Sequence, residues 1–285
     1  MKPNSNKVID VKNYIKKELS TSYTLNEISS LTNILLEEYA DLKPAHHLAF
    51  PEETINESPL INIMVAVYKL KKHTPIQYIL GYKEFLNLKI LVNSSVLIPR
   101  PETEELVQVL ISENNNPNLH ILDLCTGSGC IALALNKHLE KSCVTAVDIS
   151  KQALNVANEN NKQLGLDVEF QELDILKPFP IPEQYDIIVS NPPYVMQSEQ
   201  QEMQDNVLLY EPSLALFVSD SNPLIFYKSI VQIALTNLKH NGKLYLEINP
   251  KLCRQTLSLL SCSKFKAEIK KDIFNKERFI IATKI

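Results

Sequence analysis

The stretch "HILDLCTGSGCIALAL", His120 to Leu135, sets two apolar runs on either side of a glycine-bearing loop. "HILDLC" (His120 to Cys125) reads as a buried strand, and "CIALALNKHL" (Cys130 to Leu139) as the helix that follows it. Between them Gly127 permits a sharp turn, and Gly129 lets a ligand touch the backbone with no Cβ in the way. A helix starting there presents unpaired N–H groups and a partial positive charge, suited to a carboxylate or phosphate. Glycine is otherwise scarce. The 285 residues contain five, against about 20 at the usual frequency of roughly 7%. Each therefore marks a backbone position that another residue adopts only with difficulty.

Downstream the alternation continues. "CVTAVDI" (Cys143 to Ile149) is a second strand, and "SKQALNVANENNKQLG" is a helix capped by Ser150 and stopped by Gly165. "VEFQEL" and "YDIIVS" are the third and fourth strands, "PLIFYKSIVQIALTNLKHNG" a helix ending at Gly242, and "KLYLEI" the fifth strand. Strands alternating with helices predict a parallel sheet with crossover connections. The tail, "FKAEIKKDIFNKERFIIAT", predicts two strands about an "NK" turn, an antiparallel finish. Upstream, residues 1–80 carry helical spacing: Leu25, Ile28, Leu31, Ile34, Leu35 and Tyr39 in one helix, and "PLINIMVAVYKLKKH" opening with Pro59 in another. "FLNLKILV" (Phe85 to Val92) and "SVLIP" (Ser95 to Pro99) predict a hairpin about an "NS" turn, with a further helix starting near Glu102.

Hydrophobic residues make up 45% and charged residues 22% of the chain, an ordinary globular balance. The net charge of -4 removes the simple electrostatic argument for a nucleic-acid partner. No run approaches the roughly 18 apolar residues of a membrane span, and the amino terminus has no secretory-signal pattern. Five cysteines without a CxxC pair predict reduced thiols in a cytoplasmic protein, with no metal site.

Asp148 ends the second strand, 21 residues past Gly127, where a carboxylate can accept both hydroxyls of a ribose. "GSGCIA" also matches the dinucleotide fingerprint G-x-G-x-x-[GA], so a nicotinamide enzyme is a rival reading. Asp123 at the strand end weighs against it. A negative charge there repels a pyrophosphate but attracts the amino group and sulfonium of S-adenosylmethionine. Ile175, after the third strand, is placed to cover an adenine face.

The fourth strand runs into "SNPPYV", Ser190 to Val195. Two prolines cannot continue a central strand, so the chain must leave the sheet there. Asn191 offers a side-chain carbonyl and Pro192 a main-chain carbonyl, two acceptors for a planar –NH₂ group. Pro193 stiffens the bend, and Tyr194 supplies an aromatic face for the substrate. Such a site aligns a weakly nucleophilic nitrogen with a methyl group and stabilises its developing positive charge.

With both loops in view, the chain resembles the HemK/PrmC family, release factor glutamine N5-methyltransferases of the class I S-adenosylmethionine-dependent kind. The resemblance rests on "PIQYILGYKEF" (Pro75 to Phe85), "VLIPRPETEELV" (Val96 to Val107), "DLCTGSGCIALAL", "TAVDIS", "IVSNPPYV" and "YEPSLALFV" (Tyr210 to Val218), in that order. It implies an α/β fold: a seven-stranded, mostly parallel Rossmann-like sheet with an antiparallel last strand. It implies a helical substrate-recognition domain over 1–80, a hairpin linker over 81–99 and a methyltransferase domain over 100–285. The implied cofactor site is Cys125, Thr126, Gly127, Ser128, Gly129, Asp148, Ile175 and Asn191, holding S-adenosyl-L-methionine and releasing S-adenosyl-L-homocysteine. The implied glutamine site is Asn191, Pro192, Pro193 and Tyr194, with Asn191, Pro192 and Tyr194 catalytic and Glu102 to Glu105 near the crevice mouth. The implied substrate is the Gln of the Gly-Gly-Gln motif in class I peptide chain release factors. A monomer is expected, with neither membrane nor direct nucleic-acid contact. "NPPY" is shared with adenine-N6 DNA methyltransferases, so an amino methyltransferase of nucleic acid remains the alternative, and a non-catalytic binding module a third possibility. Two positions depart from the family: Cys125 and Asn249 stand where it usually has glycine. A side chain at 125 predicts φ < 0 there; position 249 has no account from sequence.

Overall fold

The computed structural model describes residues 2–178, 180 and 183–285. The chain divides into two compact units, one of Met1–Leu80 with Gln204–Tyr210, the other of Gly81–Met203 with Glu211–Ile285.

The first unit holds helices α1 (Val8–Leu19), α2 (Leu25–Ala40), α3 (Pro44–Ala49), α4 (Glu57–Leu70) and α5 (Ile76–Leu80). Val8, Val11, Ile15 and Leu19 line one face of α1, the three- and four-residue spacing that brings side chains onto one stripe, and all are fully buried. They meet Ile28, Leu31, Leu35 and Leu36 of α2 and Ile63, Val67 and Leu70 of α4 in one core. Thr24 and Glu27 cap α2 reciprocally, satisfying amide donors that the helix start would leave bare.

The second unit opens on a hairpin, β1 (Tyr82–Phe85) and β2 (Leu88–Leu91), with Phe85 paired to Leu88. This corrects the expected strand boundaries. The turn is Leu86-Asn87, with φ of 48° and 62°, the primed two-residue turn whose twist suits a hairpin. Residues 95–99 form no strand. Their backbone is held by side chains instead: Ser95 N–H donates to Asn93 Oδ1 at 2.9 Å, and Ile98 N–H to Glu211 Oε2 at 3.0 Å.

After α6 (Pro101–Glu113) come β3 (His120–Leu124), α7 (Cys130–His138), β4 (Cys143–Asp148), α8 (Lys151–Leu164), β5 (Val168–Glu172) and β6 (Tyr185–Ser190). Short pieces β7 (Val195–Met196) and β8 (Phe217–Val218), with α9 (Asp205–Tyr210) of the first unit between them in the chain, lead to α10 (Ile225–Asn237), β9 (Leu238–Glu247), α11 (Cys253–Ser261), β10 (Phe265–Lys271) and β11 (Glu277–Lys284). The seven-stranded sheet has the order β10-β11-β9-β6-β3-β4-β5. β11 runs antiparallel to both its neighbours, while the pairs β3–β4, β3–β6, β4–β5 and β6–β9 are parallel.

Two further differences from the sequence reading stand out. α10 stops at Asn237, not Gly242, because fully buried Leu238 pairs with Tyr185 of β6 before the chain loops out and rejoins at Lys243. α11, unforeseen, carries the chain across from β9 to β10, burying Cys253, Thr256 and Leu260.

The chain builds β3, β4 and β5 outward in one direction, then returns to place β6 on the other side of β3. Strand order reverses there, and in such sheets the carboxyl ends at the reversal frame the ligand crevice. Leu124 of β3 lies opposite Ser190 of β6, so the two loops singled out in the sequence leave adjacent strands side by side.

Candidate active site

The loop after β3 is held from beneath. Thr126 N–H donates to Val147 O at 3.0 Å, Gly129 N–H to Thr126 O at 3.0 Å, and Gly127 N–H to Asp148 Oδ2 at 2.8 Å. Asp148 Oδ1 accepts from Ser150 N–H at 2.9 Å. Each oxygen keeps a lone pair, so Asp148 can hold the loop and still receive a ribose hydroxyl. Burial pushes its pKa up, and the amide donors of Ser150 and Gly127 oppose the rise.

Cys125 has φ of 63°, against the expected negative value. The backbone makes a left-handed turn of the kind that suits glycine, here with a thiol side chain. Its side chain rests against the sheet core, and burial pushes the thiol pKa well up. Gly129 also differs from expectation. A Cβ there would meet Phe170 Cζ at 3.0 Å, Ala157 Cβ at 3.1 Å and Leu133 Cδ1 at 3.2 Å. The missing side chain makes room for protein, not for ligand. Asp123 lies beneath the loop, fully buried, accepting from the Thr126 hydroxyl at 2.5 Å. Its Oδ1 has no partner among the described residues, and burial pushes its carboxyl up to about 7. It does not reach the cleft wall.

One cleft collects most of the predicted site. Cys125, Thr126, Gly127, Ser128, Asp148, Ile175, Asn191 and Pro193 line it; Gly129, Pro192 and Tyr194 do not. Pro192 is buried. Tyr194 turns its ring to the sheet core and donates its hydroxyl to Glu247 Oε1 at 2.9 Å. Glu102, Glu104 and Glu105 gather at a separate depression with Ile273 and Phe274, while Thr103 between them faces the cleft. The cleft fits an adenosyl group: apolar Ile149, Ile175 and Phe226, a carboxylate with spare lone pairs, and a tight turn.

Asn191 is fixed by partners that sequence reasoning missed. Its Nδ2 donates to Thr103 Oγ1 at 3.0 Å, and Thr103 in turn donates to Glu247 Oε2 at 2.6 Å. No described residue donates to Asn191 Oδ1. The carboxamide therefore keeps an acceptor available at the cleft.

Residues 10–81 match the PrmC N-terminal domain family, and residues 101–216 the methyltransferase small domain family. A release factor glutamine methyltransferase of Flavobacterium psychrophilum is 43% identical over 278 residues, covering 95% of this chain and 98% of that protein. Another, of Bacteroides thetaiotaomicron, is 38% identical over 273 residues with the same coverage. This chain belongs to the release factor glutamine methyltransferase family. A solved methyltransferase structure from Pyrococcus furiosus shares the fold, at TM-score 0.52 and 17% identity, over 70% of this chain and 90% of that one. The chain is thus an enzyme of methyl transfer, and no helix among its described residues is long and apolar enough to cross a membrane.

Within this family member, three further residues organise the cleft. Glu211 accepts from Arg100 Nη2 at 2.7 Å as well as from Ile98 N–H, pinning the "IPRP" segment to "YEP". Buried Asn160 of α8 bonds Leu91 N–H and O of the hairpin and also Ser128 O of the glycine loop. Asn249, with φ of -69°, needs no glycine; its Nδ2 donates to Tyr194 O at 3.0 Å and Glu199 Oε2 at 2.7 Å. An acid inside an apolar strand, Glu247 in "KLYLEI", was the one readable signal for this network.

Proposed function

We propose that this chain transfers a methyl group from S-adenosyl-L-methionine to the side-chain amide nitrogen (N5) of the glutamine in the Gly-Gly-Gln motif of class I peptide chain release factors. The by-products are S-adenosyl-L-homocysteine and one proton, lost from the methylated nitrogen to water, and the modified factor serves translation termination. One observation carries the reading: at the end of β6, Asn191 commits its NH₂ to Thr103 and leaves its carbonyl oxygen to the cleft.

An amide nitrogen is a poor nucleophile whose lone pair is drawn into its own carbonyl. Asn191 Oδ1 accepts one of its hydrogens, and the Pro192 main-chain carbonyl, between the lining residues Asn191 and Pro193 although the Pro192 ring is buried, accepts the second. Together they orient the nitrogen and stabilise positive charge as it becomes tetrahedral. Pro193 forms the adjoining wall, and Tyr194 supports the bend from the core side. Residues Cys125 to Ser128, Asp148 and Ile175 would hold the adenosyl moiety, with Asn191 at its border and Gly129 giving the loop its close packing on α8 and β5. The bound donor supplies an activated methyl group. The helical unit of residues 1–80 recognises the release factor, residues 81–99 link it to the methyltransferase domain of 100–285, and the enzyme acts as a cytoplasmic monomer on protein, without direct contact to nucleic acid.

The test uses tritiated methyl donor with purified release factor. Label enters the wild-type factor and is absent when the Gly-Gly-Gln glutamine is replaced; label that persists after replacement refutes the assignment. Asn191→Ala lowers turnover by roughly 10²-fold, the size of one lost polar transition-state contact, with donor binding little changed.

A further inference from the structure

We infer that Glu247 is a positioning residue whose carboxylate sets the polarity of the Asn191 carboxamide through Thr103, an inference that rests on the methyl-transfer reading above.

Glu247 ends β9, is 1% exposed and makes no ion pair among the described residues. A buried carboxylate with no directly paired cation is costly. Both oxygens serve hydroxyls: Tyr194 donates to Oε1 at 2.9 Å and Thr103 to Oε2 at 2.6 Å. A carboxylate only accepts, and a hydroxyl has one proton. With that proton committed to Glu247, Thr103 Oγ1 can only accept from Asn191, at 3.0 Å. The amide must then turn its NH₂ inward and its oxygen to the cleft. Reversed, it would aim two donors at a substrate NH₂ and repel it. An ionised Glu247 thus decides, two hydrogen bonds away, which end of a nearly symmetric side chain meets the substrate.

Protonation undoes this logic. A neutral Glu247 can donate to Thr103, which can then donate to Asn191 Oδ1. Burial favours the neutral acid and Glu102 of α6 adds to that, while Thr103 of α6, Tyr194 of the loop after β6 and Arg278 of β11 hold the charged form. Tyr227 of α10 donates to the Glu247 main-chain oxygen at 3.4 Å.

The experiment compares Glu247→Gln, Thr103→Val, their double variant and Thr103→Ser in the full chain. A glutamine keeps the shape but can donate to Thr103; a valine removes the relay. We expect each of the first two to lower kcat about 10-fold or more, roughly one lost oriented hydrogen bond. The KM for release factor and the Kd for S-adenosylhomocysteine change little, the double variant is no worse than either single, and Thr103→Ser retains activity. The Asn191 side-chain NH₂, assigned in ¹⁵N NMR by its loss in Asn191→Asp, is protected from exchange in the wild type and unprotected in both variants. Wild-type kcat in Glu247→Gln, additive losses in the double variant, or unchanged NH₂ protection overturns the inference; should Glu247→Gln not fold, Thr103→Val decides alone. If the wild type labels no release factor, the functional reading falls, while NH₂ protection still decides the role of Glu247.

Discussion

At Cys125 a side chain sits where φ is 63°. The left-handed region costs an L-residue roughly 1–2 kcal/mol, because Cβ crowds the following carbonyl oxygen. The thiol offsets part of that cost by resting against the sheet core. A small unbranched side chain is tolerable there and a β-branched one is not. Cys125→Gly is therefore expected to stay within about 1 kcal/mol of the wild type, trading strain against lost packing and backbone entropy. Cys125→Val is expected to lose about 2 kcal/mol or more. Thermal unfolding of the two variants checks this, and equal melting temperatures would show that the turn is not held left-handed.

The unit formed by β3, its loop and α7 makes a sharper distinction between two glycines. Gly127 has φ of 57° with no atom of the described residues within 4 Å of where a Cβ would stand, whereas at Gly129, with φ of 80°, three side-chain atoms would lie at 3.0 to 3.2 Å. Gly127→Ala should cost only the conformational strain, about 1 kcal/mol. Gly129→Ala should cost that plus the displacement of Phe170, Ala157 and Leu133, about 2–4 kcal/mol in total. Differential scanning calorimetry should place Gly129→Ala lower in melting temperature by several degrees, at about 2–4 °C per kcal/mol. The reverse order would mean that the loop, not the interface of α7 with α8 and β5, sets the requirement for glycine.

Across the whole molecule, the buried Asp123 ties stability to pH. Burial raises its carboxyl from 3.8 to about 7. Between those values the folded chain holds a proton that the unfolded chain has released. Unfolding therefore releases one proton from Asp123, so this group makes stability fall as pH rises through that window, by up to about 1.4 kcal/mol per unit. The loss is complete once Asp123 ionises in the folded state. Asp123→Asn cannot ionise. Denaturant titrations of both proteins at several pH values should show the stability of the variant, relative to wild type, growing from pH 4 to 7. A constant difference would place the proton elsewhere, since Glu113, Asp186, Glu199 and Asp272 are shifted down and act with the opposite sign.

Sequence alone determined what local chemistry enforces. Apolar runs of strand and helix length made the parallel sheet, two prolines ended β6, Ser150 and Gly165 bounded α8, and Asp148 and Asn191 fell at the ends of strands that border one crevice. Tertiary structure decided whatever depends on partners far apart in the chain. Leu238 ends a helix because β6 claims it, and residues 95–99 are shaped by Glu211. Above all, the polarity of Asn191 is set by Thr103, 88 residues away, and through it by Glu247. A spacing pattern fixes which face of an element is buried. It carries no record of which distant hydroxyl or carboxylate completes a hydrogen bond, because only the folded chain brings the two together.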